Sequence, residues 1–275
     1  MNHSRDDRIF WSTRIVAGLV VPVLLLAFVI LYLFPSTTGE RFAWEIRPSL
    51  MAAYMGAGYI GGAWLFFNVA IGRHWHRVAA GFLPVTAFTT NMLVDTIIYW
   101  ERFDLSHFPF LLWLILYIVT PILVPLIWWH NRVRDPGLPE ANDVVVPLIA
   151  RWSLMLLGSV ILFVGIIGFI FPDWLISLWV WPLMPLSARI LTGWFGLLGV
   201  GGVIIGSDSR WSAWRVGLES IAIWQILVVI AAVFHSADFT NGLFNWFIIG
   251  VVVVLVGMAA LYIRMVGKQR NLQRS

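Results

Sequence analysis

The stretch His130-Asn131-Arg132-Val133-Arg134-Asp135-Pro136-Gly137-Leu138-Pro139-Glu140-Ala141-Asn142-Asp143 divides the sequence into two apolar arrays. It mixes proline, glycine and charged residues, and it contains no apolar run long enough to cross a membrane. This composition is typical of a surface connection between helices. We therefore predict a first four-helix repeat in residues 1–134, a linker in residues 135–150 and a second four-helix repeat in residues 151–275.

The overall composition indicates a polytopic membrane protein. Of the 275 residues, 60% are hydrophobic and 12% are charged, whereas a soluble domain carries about 25% charged residues. The chain has no cysteine, so disulfides and thiolate metal sites are excluded. The one lysine, Lys268, lies in the C-terminal tail, which excludes a lysine Schiff base inside the membrane.

Eight segments are apolar and long enough to cross a hydrocarbon core of about 30 Å. They fall near residues 15–34, 48–71, 78–100, 108–129, 151–171, 187–206, 212–234 and 243–263. The first segment is too long for a signal-peptide core, and no small-residue cleavage site follows it, so we expect it to be a retained span. The predicted fold is an all-α membrane bundle of eight transmembrane helices.

Positive charges are distributed unevenly between the two sides of this predicted bundle. All but four of the 18 Lys and Arg residues fall in the N-terminal segment, the loops after the second and sixth spans, the linker and the tail. The positive-inside rule therefore predicts that these regions, with both termini, face the cytoplasm. We expect a multi-pass protein of the cell (plasma) membrane.

Most tryptophans stand at or near the ends of the predicted spans. Thirteen of the 17 do so: Trp11, Trp44, Trp75, Trp100, Trp113, Trp128, Trp129, Trp152, Trp174, Trp181, Trp211, Trp214 and Trp246. Tryptophan is enriched where a membrane meets water, because its ring is apolar and its N–H is polar. The pattern favours anchoring in membrane lipids over stacking on nucleic acid, and no nucleic-acid partner is expected.

The two halves of the sequence correspond when one is shifted by 137 residues. The matched pairs are of residue types that are scarce in apolar segments: Arg14 with Arg151, Pro35 with Pro172, Trp44 with Trp181, and Pro48 with Pro185. Self-similarity at one fixed offset is the signature of an internal repeat. Because four is an even number of spans, the two copies share one orientation, which predicts parallel repeats.

Glycines in the second span of each half predict close helix packing. Gly58 and Gly62 form one pair with the spacing GxxxG, and Gly202 and Gly206 form the other. Small residues at this spacing let two helices approach closely in lipid. We expect these two spans inside the bundle or between its halves.

Asp95 is the clearest carboxylate inside a predicted span. Asn91 stands one helical turn earlier, on the same face, and Thr90 is nearby. Intramembrane carboxylates are costly and are candidates for function by default. Asp95 is either a proton or cation site, or a carboxyl group that fixes helix packing through hydrogen bonds.

Two polar residues of the seventh span are weaker candidates for ion or substrate binding. Glu219 follows Arg215 by four residues, a spacing that favours an ion pair at the rim of the membrane. Gln225 lies further inside the span and is able to hydrogen-bond across helices.

The outer loops carry a weak candidate metal site. Glu101, Asp104 and His107 follow the third span, and His235 and Asp238 follow the seventh. Histidine and carboxylate ligands suit zinc or manganese, although solvated loop residues are the ordinary interpretation. On the other side, we interpret the run 73–77, which contains two histidines, as a loop that binds lipid headgroups rather than as a ligand pair.

The functional prediction leaves two classes open. Prolines interrupt the third and fourth spans at Pro84, Pro121 and Pro125, and interrupted helices, duplication and a buried carboxylate are features of secondary transporters. The first hypothesis is therefore a small transporter or permease with a site near Asp95. The alternative is a non-catalytic membrane subunit or scaffold that packs against a partner or binds lipid. The expected partners are membrane lipids and either another protein or a second copy of the chain in a homo-oligomer.

The sequence shows none of the common catalytic or cofactor motifs. It has no Walker A loop, no GxSxG and no HExxH. Its histidines all stand outside the centres of the spans, which disfavours a haem held at depth. We predict a protein that is not an enzyme and has no cofactor.

Overall fold

The computed structural model describes residues 6–240 and 242–274, and in these residues the fold is all-helical. Eight of the helices are long and apolar enough to cross a membrane. They are α1 (Trp11–Phe28, continued as a π-helix over Val29–Leu33), α2 (Ser49–Ile71), α3 (Phe82–Ile98), α4 (Phe108–Asn131), α5 (Leu148–Ile170), α6 (Pro185–Ser207), α7 (Trp211–Phe234) and α8 (Leu243–Arg274). The prediction of a polytopic membrane protein with eight helical spans is confirmed.

Proline places the beginnings of several of these helices. Pro185 is the first residue of α6, and Pro48 immediately precedes α2. The fixed φ of proline suits the start of a helix, where its missing N–H costs no hydrogen bond. Short helical segments, Thr38–Arg41 and Pro172–Leu178, follow α1 and α5 on the side of the bundle away from the termini.

The helices α2 and α6 form the centre of the bundle. In the apolar core of each span, 78% of the α2 residues and 56% of the α6 residues are buried, against none for α8. The helices α2 and α7 pack together, as do α3 and α6. The helix α2 therefore packs on α1 of its own half and on α7 of the other half, and α6 packs on α5 of its own half and on α3 of the other half.

Glycines on α2 and α6 allow close contacts with neighbouring side chains and helices. A Cβ on Gly58 would lie 2.3 Å from the ring of Trp194 on α6, a Cβ on Gly202 would lie 2.9 Å from the Cα of Gly158 on α5, and a Cβ on Gly206 would lie 2.8 Å from the carbonyl oxygen of Arg151 on α5. These distances are shorter than real Cβ contacts, so a side chain at any of the three would displace its neighbour. The expected packing role therefore fits Gly58, Gly202 and Gly206, whereas Gly62 has more room.

Several tryptophans assigned to the membrane boundary are buried inside the protein instead. Trp11, Trp152 and Trp246 are exposed, as expected of anchors. By contrast, the following are buried: Trp44, Trp75, Trp113, Trp181, Trp211 and Trp214. The anchoring interpretation is wrong for these six, because loops and short helices at both ends of the bundle cover their rings.

The connection between α4 and α5 is bound to the bundle along its length. We call the side of the bundle where it lies the link side. Asp135 forms a two-pronged ion pair with Arg210, Glu140 forms another with Arg77, and Asp143 accepts hydrogen bonds from Ser212. The segment is therefore a strap across the loops of both halves, rather than a loose surface connection.

Two short backbone pairings on the link side are alike. Arg8 pairs antiparallel with His74, and Val145 pairs antiparallel with Arg210. Next to the first pairing, the backbone N–H of Trp75 donates to the carbonyl oxygen of Asp7. Next to the second, the backbone N–H of Trp211 donates to the carbonyl oxygen of Val144. The segments that enter α1 and α5 are thus held in the same way.

Candidate functional site

Asp95 is fully buried in α3, where this helix meets α6. Its Oδ2 accepts a hydrogen bond from Asn91 Nδ2 at 2.6 Å, and the same amide lies 3.2 Å from the carbonyl oxygen of Arg189. Its Oδ1 is buried and has no hydrogen-bond partner among the described residues. Burying an unpaired carboxylate oxygen is costly, so this atom is suited to holding a proton or a cation.

The guanidinium group of Arg189 lies near Asp95 but donates its hydrogen bonds to other residues. Its Nε donates to the carbonyl oxygen of Phe169 at 3.1 Å, and one terminal nitrogen donates to the hydroxyl of Tyr99 at 3.0 Å. Arg189 belongs to the same contact, because its carbonyl oxygen accepts from Asn91 Nδ2, the amide that also donates to Asp95. The carboxyl group and Arg189 therefore share this contact without a direct ion pair between them.

The third member of this group comes from the other half of the chain. Thr192 on α6 donates to the carbonyl oxygen of Arg189 at 2.6 Å and lies 3.5 Å from Asn91 Oδ1. Thr90, which the sequence grouped with Asp95, is exposed on the surface of α3. The polar group is thus made by Asn91, Asp95 and Thr192 across the contact between the two halves.

A layer of aromatic side chains fills the middle of the bundle. This aromatic layer consists of Tyr54, Tyr59, Phe88, Tyr117, Trp194 and Trp224. The rings of Phe88 and Trp194 are 4.3 Å apart, those of Trp194 and Trp224 are 4.9 Å apart, and a 2.9 Å hydrogen bond joins the hydroxyls of Tyr59 and Tyr117. The layer closes the bundle between the Asp95 group and the link side.

Two cavities lie on the link side of the aromatic layer. The central cavity, of about 70 Å³, is bounded by Gly58, Gly61, Gly201, Gly217, Ser220 and Trp194 among others. The link-side cavity is larger, about 450 Å³, and its walls include His76, Asp135 and Arg210. Ala80 and Ala213 border both cavities, so an open polar cavity adjoins a small apolar one in the bundle centre.

His76 is the centre of a polar cluster beside the link-side cavity. Its ring is almost completely buried, with Nδ1 at 2.5 Å from Asp7 Oδ2. On the other side of the ring, Nε2 lies 2.9 Å from Ser212 Oγ and 3.0 Å from Glu140 Oε1. One imidazole thus joins the N-terminal segment, the strap and the start of α7.

This cluster resembles a serine nucleophile with its base, but its hydrogen bonds have the wrong direction. Ser212 Oγ donates to Asp143 Oδ2 at 2.6 Å, so its proton is not directed to His76. Because Glu140 also faces His76 Nε2, that nitrogen must carry a proton and donate it. The arrangement is therefore one of polar packing and not of an activated serine.

The carboxylates of the strap and of the N-terminal segment have altered acidity. Burial raises the pKa of the Glu140 and Asp7 carboxyls, but the hydrogen bonds from Arg77 and His76 respectively outweigh it, so both pKa values lie below the ordinary ones. Burial likewise raises the pKa of Asp135, and Arg210 outweighs it. Each of these groups is held in its ionised form.

Glu219 forms the ion pair that its spacing predicts, together with two further contacts. Arg215 Nε lies 2.9 Å from one carboxylate oxygen, and the hydroxyl of Tyr262 on α8 donates to the same oxygen at 2.7 Å. Trp64 Nε1 donates to the other oxygen. Glu219 thus connects α2, α7 and α8 near the link side, while Gln225 is partly buried further along α7.

The residues of the proposed outer metal site are placed apart from one another. His107 Nε2 lies 2.8 Å from the carbonyl oxygen of Phe42, Asp104 accepts from Ser106, and Asp238 Oδ2 accepts from the backbone N–H of Leu50. Glu101 is exposed, and His235 is 3.9 Å from Asp238. Within the described residues, the structure does not gather three of these side chains within reach of one ion.

Comparisons of the chain with protein-family models, with curated proteins and with solved structures give no match. The arguments for function therefore rest on the residues themselves.

Sequence reasoning missed the aromatic layer and the His76 cluster. The pair His74 and His76 was visible in the sequence, but the carboxylate that joins it, Asp7, stands 67 residues before His74. In the sequence, only the run His74-Trp75-His76 pointed to this cluster.

Proposed function

We propose that the chain is a small secondary transporter of the plasma membrane, with both termini in the cytoplasm. The substrate path runs between the central helices α2, α3, α6 and α7, and Asp95 is the site of the coupling proton or cation. The observation that carries this proposal is the buried Asp95 Oδ1, which has no hydrogen-bond partner in the part of the chain that the structure describes and lies at a contact between the two halves.

The pattern of helix contacts supports the internal repeat that we predict from the sequence, and with it this assignment. The contacts of α1 with α2, of α2 with α7 and of α3 with α4 have counterparts in α5 with α6, α6 with α3 and α7 with α8. Arg14 Nε donates to the carbonyl oxygen of Ala70, and Arg151 Nε donates to that of Gly206. We interpret the halves as parallel copies around an axis along the membrane normal, an arrangement in which transporters bind substrate between the copies.

The cavities supply a path from one side. The link-side cavity is open and polar, and the central cavity beyond it ends at the aromatic layer. With the link side in the cytoplasm, this is the form of a transporter that is open inward and closed outward. For the path to open to the opposite side of the membrane, α3 and α6 must separate where the aromatic layer and the Asp95 group now join them.

Cysteine accessibility tests the path without knowledge of the substrate. The natural chain has no cysteine, so a single introduced cysteine gives an unambiguous signal. Ser220→Cys places a thiol at the central cavity, whereas Ser106→Cys and Ser207→Cys place thiols at exposed positions on opposite sides. We expect the Ser220 thiol to react with a membrane-impermeant maleimide from the Ser207 side, and more slowly from the Ser106 side.

Coupling is tested by repeating this labelling in proteoliposomes at several pH values and sodium concentrations. We expect the side preference of the Ser220→Cys thiol to change with one of these ions, and we expect Asp95→Asn to remove that dependence. A thiol that never reacts from the Ser106 side would exclude transport through this path. Ion dependence that survives Asp95→Asn would exclude Asp95 as the coupling site.

A second candidate function rests on the exposure of α8. None of the residues in its apolar core is buried in the bundle, and Val253 and Val256 are among the exposed ones. A membrane subunit that packs against a partner protein would cover this helix. Native mass spectrometry of the particle extracted with its lipids tests this, since extra protein mass beyond 31.2 kDa per chain favours the subunit function.

A further inference from the structure

We propose that Asp7, His74 and His76 form a binding site for a divalent transition-metal ion on the link side, with zinc as the reference ion. This site is separate from the Asp95 group and does not depend on the transport function. One candidate ligand atom from each residue lies within 4.8 Å of the other two.

The backbone places the three side chains together. The antiparallel pairing of Arg8 with His74 sets the N-terminal segment beside the loop after α2. His76 follows two residues after His74, in the turn that leads away from this pairing. Both present Nδ1 to the same atom, Asp7 Oδ2, at 3.1 Å and 2.5 Å.

The surroundings of the cluster favour a cation. The side chain of His76 is 1% exposed and that of Asp7 is 13% exposed, and Glu140 lies on the far side of the His76 ring. Two carboxylates thus face one imidazole from opposite sides in a site largely closed to water. Negative charge held in such a site favours a bound metal ion, for which imidazole and carboxylate are ordinary ligands.

The contacts of His76 Nε2 match those around metal-bound histidines. A ligating histidine ordinarily donates its other N–H to a carboxylate or similar acceptor, which fixes the ring and raises its basicity. Glu140 has this position at 3.0 Å, and Arg77 holds Glu140 in turn. This supporting shell is present on the ring that is most deeply buried.

The corresponding pairing in the second half shows that the backbone does not require these ligands. There Val144, Arg210 and Ser212 stand where the first half has Asp7, His74 and His76. The same backbone hydrogen bond forms between Trp211 and Val144 without any ligand set. The two histidines and the carboxylate are therefore an addition of the first half.

The ligand set suits zinc and similar ions, and one coordination position remains open. Two imidazoles and one carboxylate bind zinc at about 2.0–2.2 Å and leave the fourth position to water or another ligand. The side chain of His74 is 45% exposed, which gives an ion access from solvent. A small outward movement of the Asp7 carboxylate makes room for the ion between the three ligand atoms.

Zinc titration of the full-length protein in detergent tests the site. After treatment with a chelator and its removal, zinc alone is added in competition with a chromophoric chelator. We expect one equivalent to bind to the natural protein, and we expect His74→Ala and Asp7→Asn each to weaken binding at least 100-fold. His235→Ala, on the outer side, is the matched control and should bind as the natural protein does.

Two further measurements separate a metal site from a structural cluster. Glu140→Gln removes the charge behind His76 and should weaken zinc binding about 10–100-fold. Cobalt added in place of zinc should give the visible absorption of a low-coordinate ion, and this should disappear in His74→Ala. His74 is half-exposed, so this variant is expected to fold, as an unchanged thermal midpoint without metal would show.

Absence of stoichiometric zinc binding to the natural protein would overturn the proposal. Equal binding by His74→Ala and the natural protein would overturn it as well, because zinc would then be held elsewhere.

Discussion

Gly58 on α2 and Trp194 on α6 approach so closely that a Cβ on the glycine would lie 2.3 Å from the indole ring. Trp194 is buried and borders the central cavity, where it contacts Phe88 and Trp224. This contact thus fixes the position of the Trp194 ring, and with it the aromatic layer, against the backbone of α2.

Gly58→Ala should destabilise the protein, because the added methyl group must displace the ring of Trp194. Overpacking of this kind costs about 1–3 kcal/mol. The measurement is the free energy of unfolding in mixed micelles. Gly250→Ala on α8 is the control, since nothing lies within 4 Å of its Cβ position, and it should be neutral or slightly stabilising.

The ion pair of Asp135 with Arg210 should make stability depend on acidic pH. The folded-state pKa of Asp135 is lowered from 3.8, so its contribution is fully present above that value and is lost as pH falls through the folded-state pKa. We expect the thermal midpoint to fall in this range, and Asp135→Asn to lower it at neutral pH and to flatten the dependence. An unchanged acid limb in Asp135→Asn would contradict this assignment.

Ser212→Ala should loosen the strap without unfolding the membrane helices. The substitution removes the donor to Asp143 Oδ2 and one contact of His76 Nε2. Leaving a buried polar group unpaired costs about 1–3 kcal/mol. Proteolysis at the strap should accelerate in this variant, while Ser207→Ala, with an exposed hydroxyl, serves as control and should be cleaved at the natural rate.

Asp95→Asn should leave the fold intact. The amide oxygen of asparagine preserves an acceptor for Asn91 Nδ2, and the change removes a costly buried charge or the need to protonate it. We expect a free energy of unfolding within about 1 kcal/mol of the natural value. Asp95→Leu, which leaves the Asn91 amide without its acceptor, should be less stable.

The number and position of the spans could be predicted from the sequence, because length and apolar composition alone decide whether a helix crosses the hydrocarbon. All eight predicted segments coincide with helices, and the predicted interior position of the second and sixth spans is confirmed. Composition does not separate lipid contact from protein contact, however. The sequence pattern therefore predicted membrane anchors at Trp75 and Trp211, although both are buried.

The candidate sites were only partly predictable, because their members come from distant parts of the chain. Asn91 and Asp95 share one helix face, and their contact follows from the four-residue spacing. Their partner Thr192 is 101 residues from Asn91, and no sequence periodicity predicts this contact. The approach of Asp7 to His76 depends in the same way on how the N-terminal segment lies across the loop after α2.

The packing of α2 on α7, and of α3 on α6, has a consequence for the assembly of the protein during translation. The ribosome delivers α1 to α4 first, and at that moment Gly58 and Gly61 of α2 lack their contacts with Trp194 and Ser220, and Asn91 lacks its contact with Thr192. The first half is able to pack α1 on α2 and α3 on α4, whereas the contacts of α2 with α7 and of α3 with α6 form only after α6 and α7 are made. The final step of assembly therefore comes late in translation and joins two halves that are already partly packed.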